Sequence, residues 1–129
     1  MKIDPGKAVG GITIGMLPEE YEAHLGNSQD AFKRTPESID LVIAYDSKCM
    51  HLLVDEDHRI KLISVFRPEK VELQDIQLLG REMFLVERDL SEANIDFVHV
   101  DAGLWCPKFG VLAVEVGGIV DGVEISRVE

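Results

Sequence analysis

Cysteine is scarce in this 129-residue chain, which contains only Cys49 and Cys106. Two cysteines far apart in sequence do not form the disulfide framework that stabilises small secreted domains. Both stand in apolar segments of the sequence. We therefore expect two buried thiols rather than a redox pair.

Basic residues are also few, since 13 lysines and arginines stand against 24 aspartates and glutamates, a net charge of -11. A surface this acidic repels phosphate backbones, which argues against nucleic-acid binding. The same charge attracts a basic protein partner. It is equally explained as the charge that keeps a protein soluble.

Long apolar runs are missing, because no segment approaches the ~18 residues that a membrane span needs. The first residues contain neither the apolar core of a signal peptide nor a lipid-attachment cysteine. We expect a cytoplasmic protein with no membrane partner. The length fits a single domain over residues 1–129, and a hydrophobic fraction of 46% is enough for one core.

The first half of the chain is predicted to contain one helix and three strands. Residues 15–26 form the helix, in which Pro18 suits the first turn and Gly26 can take the left-handed conformation that ends it. Its apolar stripe at four-residue spacing consists of Leu17, Tyr21 and Leu25. The polar segment 27–37 is predicted to be a loop. Strands follow at 39–45, 49–54 and 59–66, and the last two pair as a hairpin.

The second half is predicted to follow the same order. Its only long helical pattern covers 75–93, with Asp75 as the N-cap. The helix alternatively begins near Gly80, because a glycine inside a helix costs about 1 kcal/mol relative to alanine. Strands follow at 96–100, 104–106, 110–116 and 119–128, with a turn at 117–118 and an interruption at Gly122.

A shift of the chain by 60 residues superimposes segment 50–67 on segment 110–127 without a gap. Any two hairpins share some alternation, but the common order of helix and strands predicts a duplication, with repeats at 7–67 and 71–128. The expected fold class is α+β: two tandem helix-plus-antiparallel-meander repeats in a two-layer domain, with the helices on one sheet face. The shift places Tyr45 on Trp105, Leu52 on Leu112, Val54 on Val114, Ile63 on Val123, Val65 on Ile125 and Arg67 on Arg127.

The repeat also predicts which side chains face the core, because positions that are apolar in both halves must lie under the helices. The set predicted to face the core is Leu52, Val54, Ile63, Val65, Leu112, Val114, Val123 and Ile125. The set predicted to face away is His51, Leu53, Leu62, Ser64, Phe66, Val111, Ala113, Glu124 and Ser126. The second set is more apolar than a solvated face, which favours a covering partner, although scattered exposed apolar residues are also common.

The opening of the first helix carries a family resemblance. Its residues are Gly11-Ile12-Thr13-Ile14-Gly15-Met16-Leu17-Pro18-Glu19-Glu20, continuing to Leu25-Gly26. This segment resembles the start of domains like the β-lactamase inhibitor protein and the small outer-membrane assembly lipoproteins, where a Gly-Met step leads into a glutamate-rich helix. The resemblance implies an antiparallel sheet of three or four strands after the helix. For the inhibitor type it implies two such units in tandem, with a concave sheet face that grips a partner protein.

The chain departs from these families in several respects. It has no lipid signal, unlike the lipoproteins, and neither the disulfide framework nor the secreted setting of the inhibitor. Bacterial immunity proteins, which neutralise a toxin, are similar in size, charge and shape rather than in matched residues.

Motifs for catalysis or cofactor binding are missing from the sequence. There is no Gly-x-Ser-x-Gly elbow, and the glycine-rich segment 6–11 lacks the Gly-Lys-Ser/Thr ending of a phosphate loop. Cys106 has no histidine beside it in the sequence to activate the thiol. Cys49 and His51 alternate on a predicted strand, and His99 and Cys106 lie in the matching region, but their spacings match no zinc pattern. We expect no enzyme, no cofactor and no metal.

The function favoured by these observations is a protein-binding module that acts by occlusion, of the inhibitor or immunity type. The alternative is a small-molecule binder or minor enzyme with a pocket between helix and sheet, for which the polar candidates are His24, His51, His58 and His99. Aromatic side chains are typical anchors of protein interfaces and acidic ones steer association, although Tyr45 and Trp105 are equally suited to the core. The predicted protein-binding residues are Tyr45, His51, Leu53, Asp55, Glu56, Asp57, Leu62, Phe66, Trp105 and Glu124.

Overall fold

One sheet of eight antiparallel strands forms the body of the protein, with two smaller sheets and two helices. The structure is a computed structural model that describes residues 1–128. The helices are α1 (Pro18–Leu25) and α2 (Met83–Glu92), and a short 3₁₀ helix covers Asp46–Lys48. The strands are β1 (Ile3–Asp4), β2 (Ala8–Val9), β3 (Ile12–Thr13), β4 (Asp30–Lys33), β5 (Leu41–Tyr45), β6 (Met50–Val54), β7 (Ile60–Phe66), β8 (Glu72–Leu73), β9 (Ile76–Gln77), β10 (Val98–Val100), β11 (Gly103–Cys106), β12 (Val111–Val116) and β13 (Ile119–Ser126).

Both helices pack on the same face of the large sheet, called the inner face below. Tyr21 of α1 and Met83, Val86 and Leu90 of α2 are buried in one cluster with side chains of the strands. The α+β class and the two-layer arrangement are therefore confirmed. Within residues 1–128, neither helix is long and apolar enough to cross a membrane. The strand residues of the inner face are Ile43, Tyr45, Met50, Leu52, Val54, Ile63, Val65, Leu104, Cys106, Val111, Ala113, Val123 and Ile125.

Helix α1 begins at Pro18, three residues later than predicted, and has the predicted signals at both ends. Pro18 is its first residue, where no backbone N–H is needed, and Glu20 accepts a hydrogen bond at 3.2 Å from the backbone of Leu17. At the other end Gly26 has a φ of +79° and donates its N–H to the carbonyl of Glu22 at 2.8 Å.

The helix predicted over 75–93 is wrong in its first part, because β8 and β9 form a small hairpin there. The two residues of its turn, Gln74 and Asp75, have φ values of +48° and +69°, as a tight type I′ turn requires. Asp75 is therefore a turn residue and not an N-cap. Gly80, with φ +78°, lies outside the helix, which begins at Met83. Ile76 of β9 and the buried Leu79 continue the spacing of Met83, Val86 and Leu90, which produced the apparent helical pattern.

The loop predicted over 27–37 is also wrong in part, because it contains β4, an edge strand. All four residues of β4 are exposed, so neither face has the apolar alternation that marks a strand in sequence. The strand is held by pairing with β5, in which Phe32 lies opposite Val42.

The two halves join in one continuous sheet with the strand order β10-β11-β12-β13-β7-β6-β5-β4. Each half contributes a four-stranded meander that follows one helix, and β7 pairs with β13 at the centre. Phe66 lies opposite Gly122, and Leu62 lies opposite Ser126, so a 60-residue shift maps this central register onto itself. A duplication would produce this register, and the duplication stays a prediction.

Measured between corresponding paired residues, the connection between β12 and β13 is one residue shorter than the connection between β6 and β7, and this changes the predicted face of β12. Lys61 has no opposing residue in β6, and Asp121 has none in β12, so these two positions correspond at a shift of 60 residues. Five residues lie between the paired residues Val54 and Ile60, whereas four lie between Glu115 and Val120, so Val54 and Glu115 correspond at a shift of 61. The inner positions of β12 are therefore Val111 and Ala113, both buried in the core. The prediction that Leu112 and Val114 face the core, with Val111 and Ala113 outside, is wrong.

Candidate protein-binding face

Among residues 1–128, no helix packs on the second face of the large sheet, which we call the outer face. One row of paired residues crosses both halves, from Ala44 on β5 through Ser64 and Glu124 to Trp105 on β11. The large apolar side chains of the outer face are Phe32, Val42, Leu53, Leu62, Phe66, Val98, Val100, Trp105, Leu112 and Val114, and its polar side chains include Asp30, His51, Ser64, Glu124 and Ser126.

The exposure of this face varies across the sheet. Val42 and Leu53 are only 5% and 8% exposed although no helix covers them, whereas Leu62, Phe66, Trp105 and Leu112 are half-buried. At the two edges the apolar side chains are open: Phe32 is 42% exposed, and Val98 and Val100 of β10 are exposed by similar fractions. Large apolar side chains thus lie on every strand of the outer face except β13, which presents Gly122, Glu124 and Ser126 there, and this is more than a few scattered apolar residues.

An aromatic cluster lies on the first half of the outer face, centred on His51. The rings of Phe66 and Phe32 meet the imidazole edge-on, with centroids 5.1 Å and 6.3 Å away. Nε2 of His51 is 2.6 Å from a carboxylate oxygen of Asp46. Because an ionised carboxylate only accepts hydrogen bonds, Nε2 donates, and this bond fixes the ring between the two phenylalanines.

A serine, a histidine and an aspartate, the residue types of a catalytic triad, lie together around His51. The hydrogen bond that joins the serine to the histidine in a triad is not formed among them. Ser64 lies directly opposite His51, and Asp46 holds the imidazole. In a triad the nucleophilic hydroxyl bonds to the histidine nitrogen that the carboxylate leaves free. Among residues 1–128, the Ser64 hydroxyl makes no hydrogen bond to His51. The bond to Asp46 orients the histidine within the aromatic cluster.

Glu124 is the acidic residue at the centre of the outer face, between Ser64 on one side and Leu112 on the other. Its carboxylate makes no ion pair with any cation of residues 1–128. A half-buried, unpaired carboxylate among apolar side chains favours a positively charged group from outside the chain.

The predicted binding residues separate into three places. His51, Leu53, Leu62, Phe66, Trp105 and Glu124 come together on the outer face, as expected. Tyr45 does not, because it is 2% exposed on the inner face, where its hydroxyl donates to the carbonyl of Gly26 at 2.9 Å and burial raises its pKa. Its assignment to the binding surface is wrong. The acidic residues Asp55, Glu56 and Asp57 lie in the turn between β6 and β7, at the end of the sheet.

The four residues considered for a zinc site, Cys49, His51, His99 and Cys106, do not form one group. Cys49 does not lie on a strand with His51, since it ends the 3₁₀ helix with a φ of +55°. Cys106 lies on the inner face of the sheet, whereas His51 lies on the outer face. Burial raises the pKa of the Cys106 thiol to about 11. No group of three or more possible metal ligands occurs within the part of the chain that the structure describes.

A cavity of about 340 Å³ lies between the start of α2 and strands β10 to β12, and Val100 of the outer face is part of its lining. Met83, Phe84 and Leu104 form its apolar side, and Glu87, His99 and Glu115 its polar side. The imidazole of His99 is in direct contact with the Glu87 carboxylate. Of the four histidines named as candidates for a pocket, only His99 lines this one.

Sequence reasoning missed several residues of the outer face, namely Phe32, Val98, Val100, Leu112 and Val114. Phe32 was in the predicted loop, and the β12 residues were assigned to the wrong face. The alternation within 111–116 indicated that β12 has one buried and one open face. It did not indicate on which of the two faces Leu112 lies. A comparison with known protein families, curated proteins and solved structures finds no match for this chain.

Proposed function

We propose that this chain is a non-catalytic protein-binding module that occludes a partner protein with the outer face of its sheet. The observation that carries the proposal is the outer face, which has large apolar side chains on seven of its eight strands and no covering element among residues 1–128. Such a face is typical of surfaces that bind another protein. Phe66 and Trp105, one in each half, are the anchors, because large aromatic side chains dominate the affinity of many interfaces.

The partner is proposed to be basic. The chain has a net charge of -11, and the outer face has Glu124 at its centre without a cation beside it. A partner that places a lysine or arginine over Glu124 neutralises this carboxylate, while the overall charge speeds the encounter.

The class of binder is proposed to be an inhibitor or an immunity protein. Two tandem units of one helix and four strands, with the helices on one face only, are the arrangement implied by the resemblance of segment 11–26 to the β-lactamase inhibitor type. In such proteins the sheet face blocks a partner, and no chemistry is required of the binder.

The experiment that tests this proposal compares two substitutions of the same type on opposite sides. Phe66→Glu places a charge on the outer face, whereas Phe84→Glu places one on α2, where Phe84 is 62% exposed. Co-purification from the native host is expected to recover a basic protein with the unmodified chain and with Phe84→Glu, and to lose it with Phe66→Glu. Both variants are first checked for an unchanged circular dichroism spectrum. Equal recovery with the two variants would exclude the outer face.

The alternative function is a small-molecule binder that uses the cavity of about 340 Å³ beside His99. Its volume lies within the range of small-ligand pockets, and His99 with Glu87 supplies polar groups. A thermal-shift screen of metabolites that finds a stabilising compound, with the effect lost in His99→Ala, would favour this function over the first.

A further inference from the structure

The two ends of the central strand pair have the same backbone framework. At one end the N–H of Gly15 donates to the carbonyl of Ile60 at 2.7 Å, and at the other the N–H of Gly80 donates to Val120 at 2.8 Å. Both glycines have a positive φ, +97° and +78°. Residues 60 and 120 also donate in return, to the carbonyls of residues 16 and 81 at 3.0 Å and 2.9 Å. The two ends therefore differ in side chains rather than in backbone.

An arginine follows the central strand at each end and lies beside the glycine there. A Cβ placed on Gly80 would lie 3.8 Å from Cδ of Arg67, and one placed on Gly15 would lie 3.4 Å from a guanidinium nitrogen of Arg127. Arg67 and Arg127 thus occupy corresponding positions next to corresponding turns.

Arg67 has a carboxylate partner supplied by the chain itself. Two of its guanidinium nitrogens donate to one oxygen of Asp121, at 2.9 Å and 2.7 Å. Asp121 is the unopposed residue of β13 at the strand irregularity. Charge-assisted hydrogen bonds of this kind are the favourable way to hold a guanidinium in one place.

Arg127 has a lysine where Arg67 has this aspartate. The residue that corresponds to Asp121 is Lys61, whose ammonium bonds to Asp40 at 2.9 Å. Within residues 1–128, Arg127 makes no ion pair. The site thus has the arginine but lacks its carboxylate.

The space beside Arg127 is a cavity of about 190 Å³ with an excess of positive charge. Three cations line it, Arg59, Lys61 and Arg127, in a chain whose net charge is -11. Arg59 donates to the carbonyl of Gly15 at 3.0 Å. Asp55 is the one acidic residue that lines the cavity, and its Oδ1 already accepts the backbone N–H groups of residues 57 and 59, at 2.9 Å and 3.0 Å.

We propose that this cavity binds a carboxylate, which bonds to Arg127 as Asp121 bonds to Arg67. A planar oxyanion fits the fork of a guanidinium, and Lys61 and Arg59 add positive charge on either side. Two sources supply this chemistry: a small organic acid, or the free C-terminus of a peptide. The inference does not depend on the outer face and stands if that surface binds nothing.

The binding test uses nuclear magnetic resonance on the full chain. Acetate, triglycine with a free C-terminus and triglycine amide are titrated separately, and the amide of Gly15 and the side-chain Nε of Arg127 are followed. Saturable shifts of both signals with acetate and triglycine, and none with the amide, are expected. The tighter of the two carboxylates identifies the source. Shifts that do not saturate, or that are equal with the amide, would overturn the proposal.

Variants at the two ends provide matched controls. Arg127→Gln is expected to weaken binding at least about tenfold, because it removes the charged donor. Lys61→Asp is expected to abolish binding, because it supplies the carboxylate from within, as at the other end. Arg67→Gln removes the corresponding arginine outside this cavity and is expected to leave the affinity unchanged.

The reverse exchange tests the correspondence itself. Asp121→Lys removes the internal carboxylate from Arg67 and is expected to create a second site, reported by the amide of Gly80. Unchanged binding in Lys61→Asp, together with no new shift at Gly80 in Asp121→Lys, would show that the cavity does not select a carboxylate through this arginine.

Discussion

Ser64 and Glu124 lie opposite each other at the midpoint of the central strand pair, so the middle of the outer face is a hydroxyl beside a carboxylate. A shift of 60 residues places Ser64 on Glu124, so the two residues occupy corresponding positions in the two halves. At this point the two halves meet with different chemistry, one neutral and one acidic. A partner that covers both halves must therefore accommodate a charge at its centre.

Reversal of the charge at Glu124 should weaken partner binding. Glu124→Lys places a cation against the basic group that we propose for the partner, and affinity is expected to fall at least about tenfold. Isothermal titration with the captured partner measures this loss. Glu92→Lys, at the exposed end of α2, makes the same change in net charge outside the face and serves as the control. Equal losses in both variants would mean that only the overall charge matters.

Adjacent residues of β12 should respond oppositely to the same kind of substitution. Leu112→Glu exposes a carboxylate on the outer face and is expected to cost less than about 1 kcal/mol in the free energy of unfolding. Ala113→Glu buries an unpaired charge, since Ala113 is 2% exposed, and is expected to cost more than about 3 kcal/mol. Urea denaturation measures both. The reverse order would restore the face assignment predicted from sequence.

Gly103 should tolerate no side chain, because β11 and β12 approach closely at this position. A Cβ there would lie 2.0 Å from the carbonyl oxygen of Ala113, and the φ of Gly103 is +152°. Gly103→Ala is expected to cost about 2–4 kcal/mol, from strain and displacement of the strand. Gly26→Ala has nothing within 4 Å of the new methyl group and is expected to cost about 1 kcal/mol. Thermal unfolding compares the two, and equal losses would contradict the close approach.

Ionisation of the Cys106 thiol should lower the free energy of unfolding in alkaline solution. Burial raises the pKa of its thiol from 9.0 to about 11, so the folded protein holds a proton that the unfolded chain releases. The stabilisation is complete below pH 9 and is lost as the pH rises through about 11. Cys106→Ala should flatten this part of the curve, while Tyr21 and Tyr45, whose pKa values burial also raises, still titrate in both proteins. An identical slope with and without the thiol would contradict this cause.

Much of the fold follows from the sequence where apolar periodicity is strong. The β6–β7 hairpin and α1 were predicted correctly because alternation and end signals are clear in each. The stretch 75–82 was misread because Ile76 of the short strand β9 and the buried Leu79 stand at helical spacing before the true helix residues Met83, Val86 and Leu90. Edge strand β4 has no buried face, so its pairing depends on contacts that lie far away in sequence.

The candidate site was predicted less completely, for a related reason. The connection between Glu115 and Val120 is one residue shorter than the one between Val54 and Ile60, which changes the correspondence of β12 by one position, and a shift by one residue moves every side chain to the other face. For the same reason Tyr45 lies on the inner face and Trp105 on the outer face, although an ungapped comparison aligns the two residues. Face assignments from a repeat therefore depend on strand register, which sequence alone does not determine here.

The central claim, that the outer face binds a partner protein, is tested most directly by photo-cross-linking in the native host. A benzophenone amino acid is introduced in place of Trp105, on the outer face, and separately in place of Phe84, on α2. The account predicts a covalent adduct with a basic protein from position 105, reproduced from position 62 on the other half, and no adduct with that protein from position 84. An adduct from position 84 alone would contradict it.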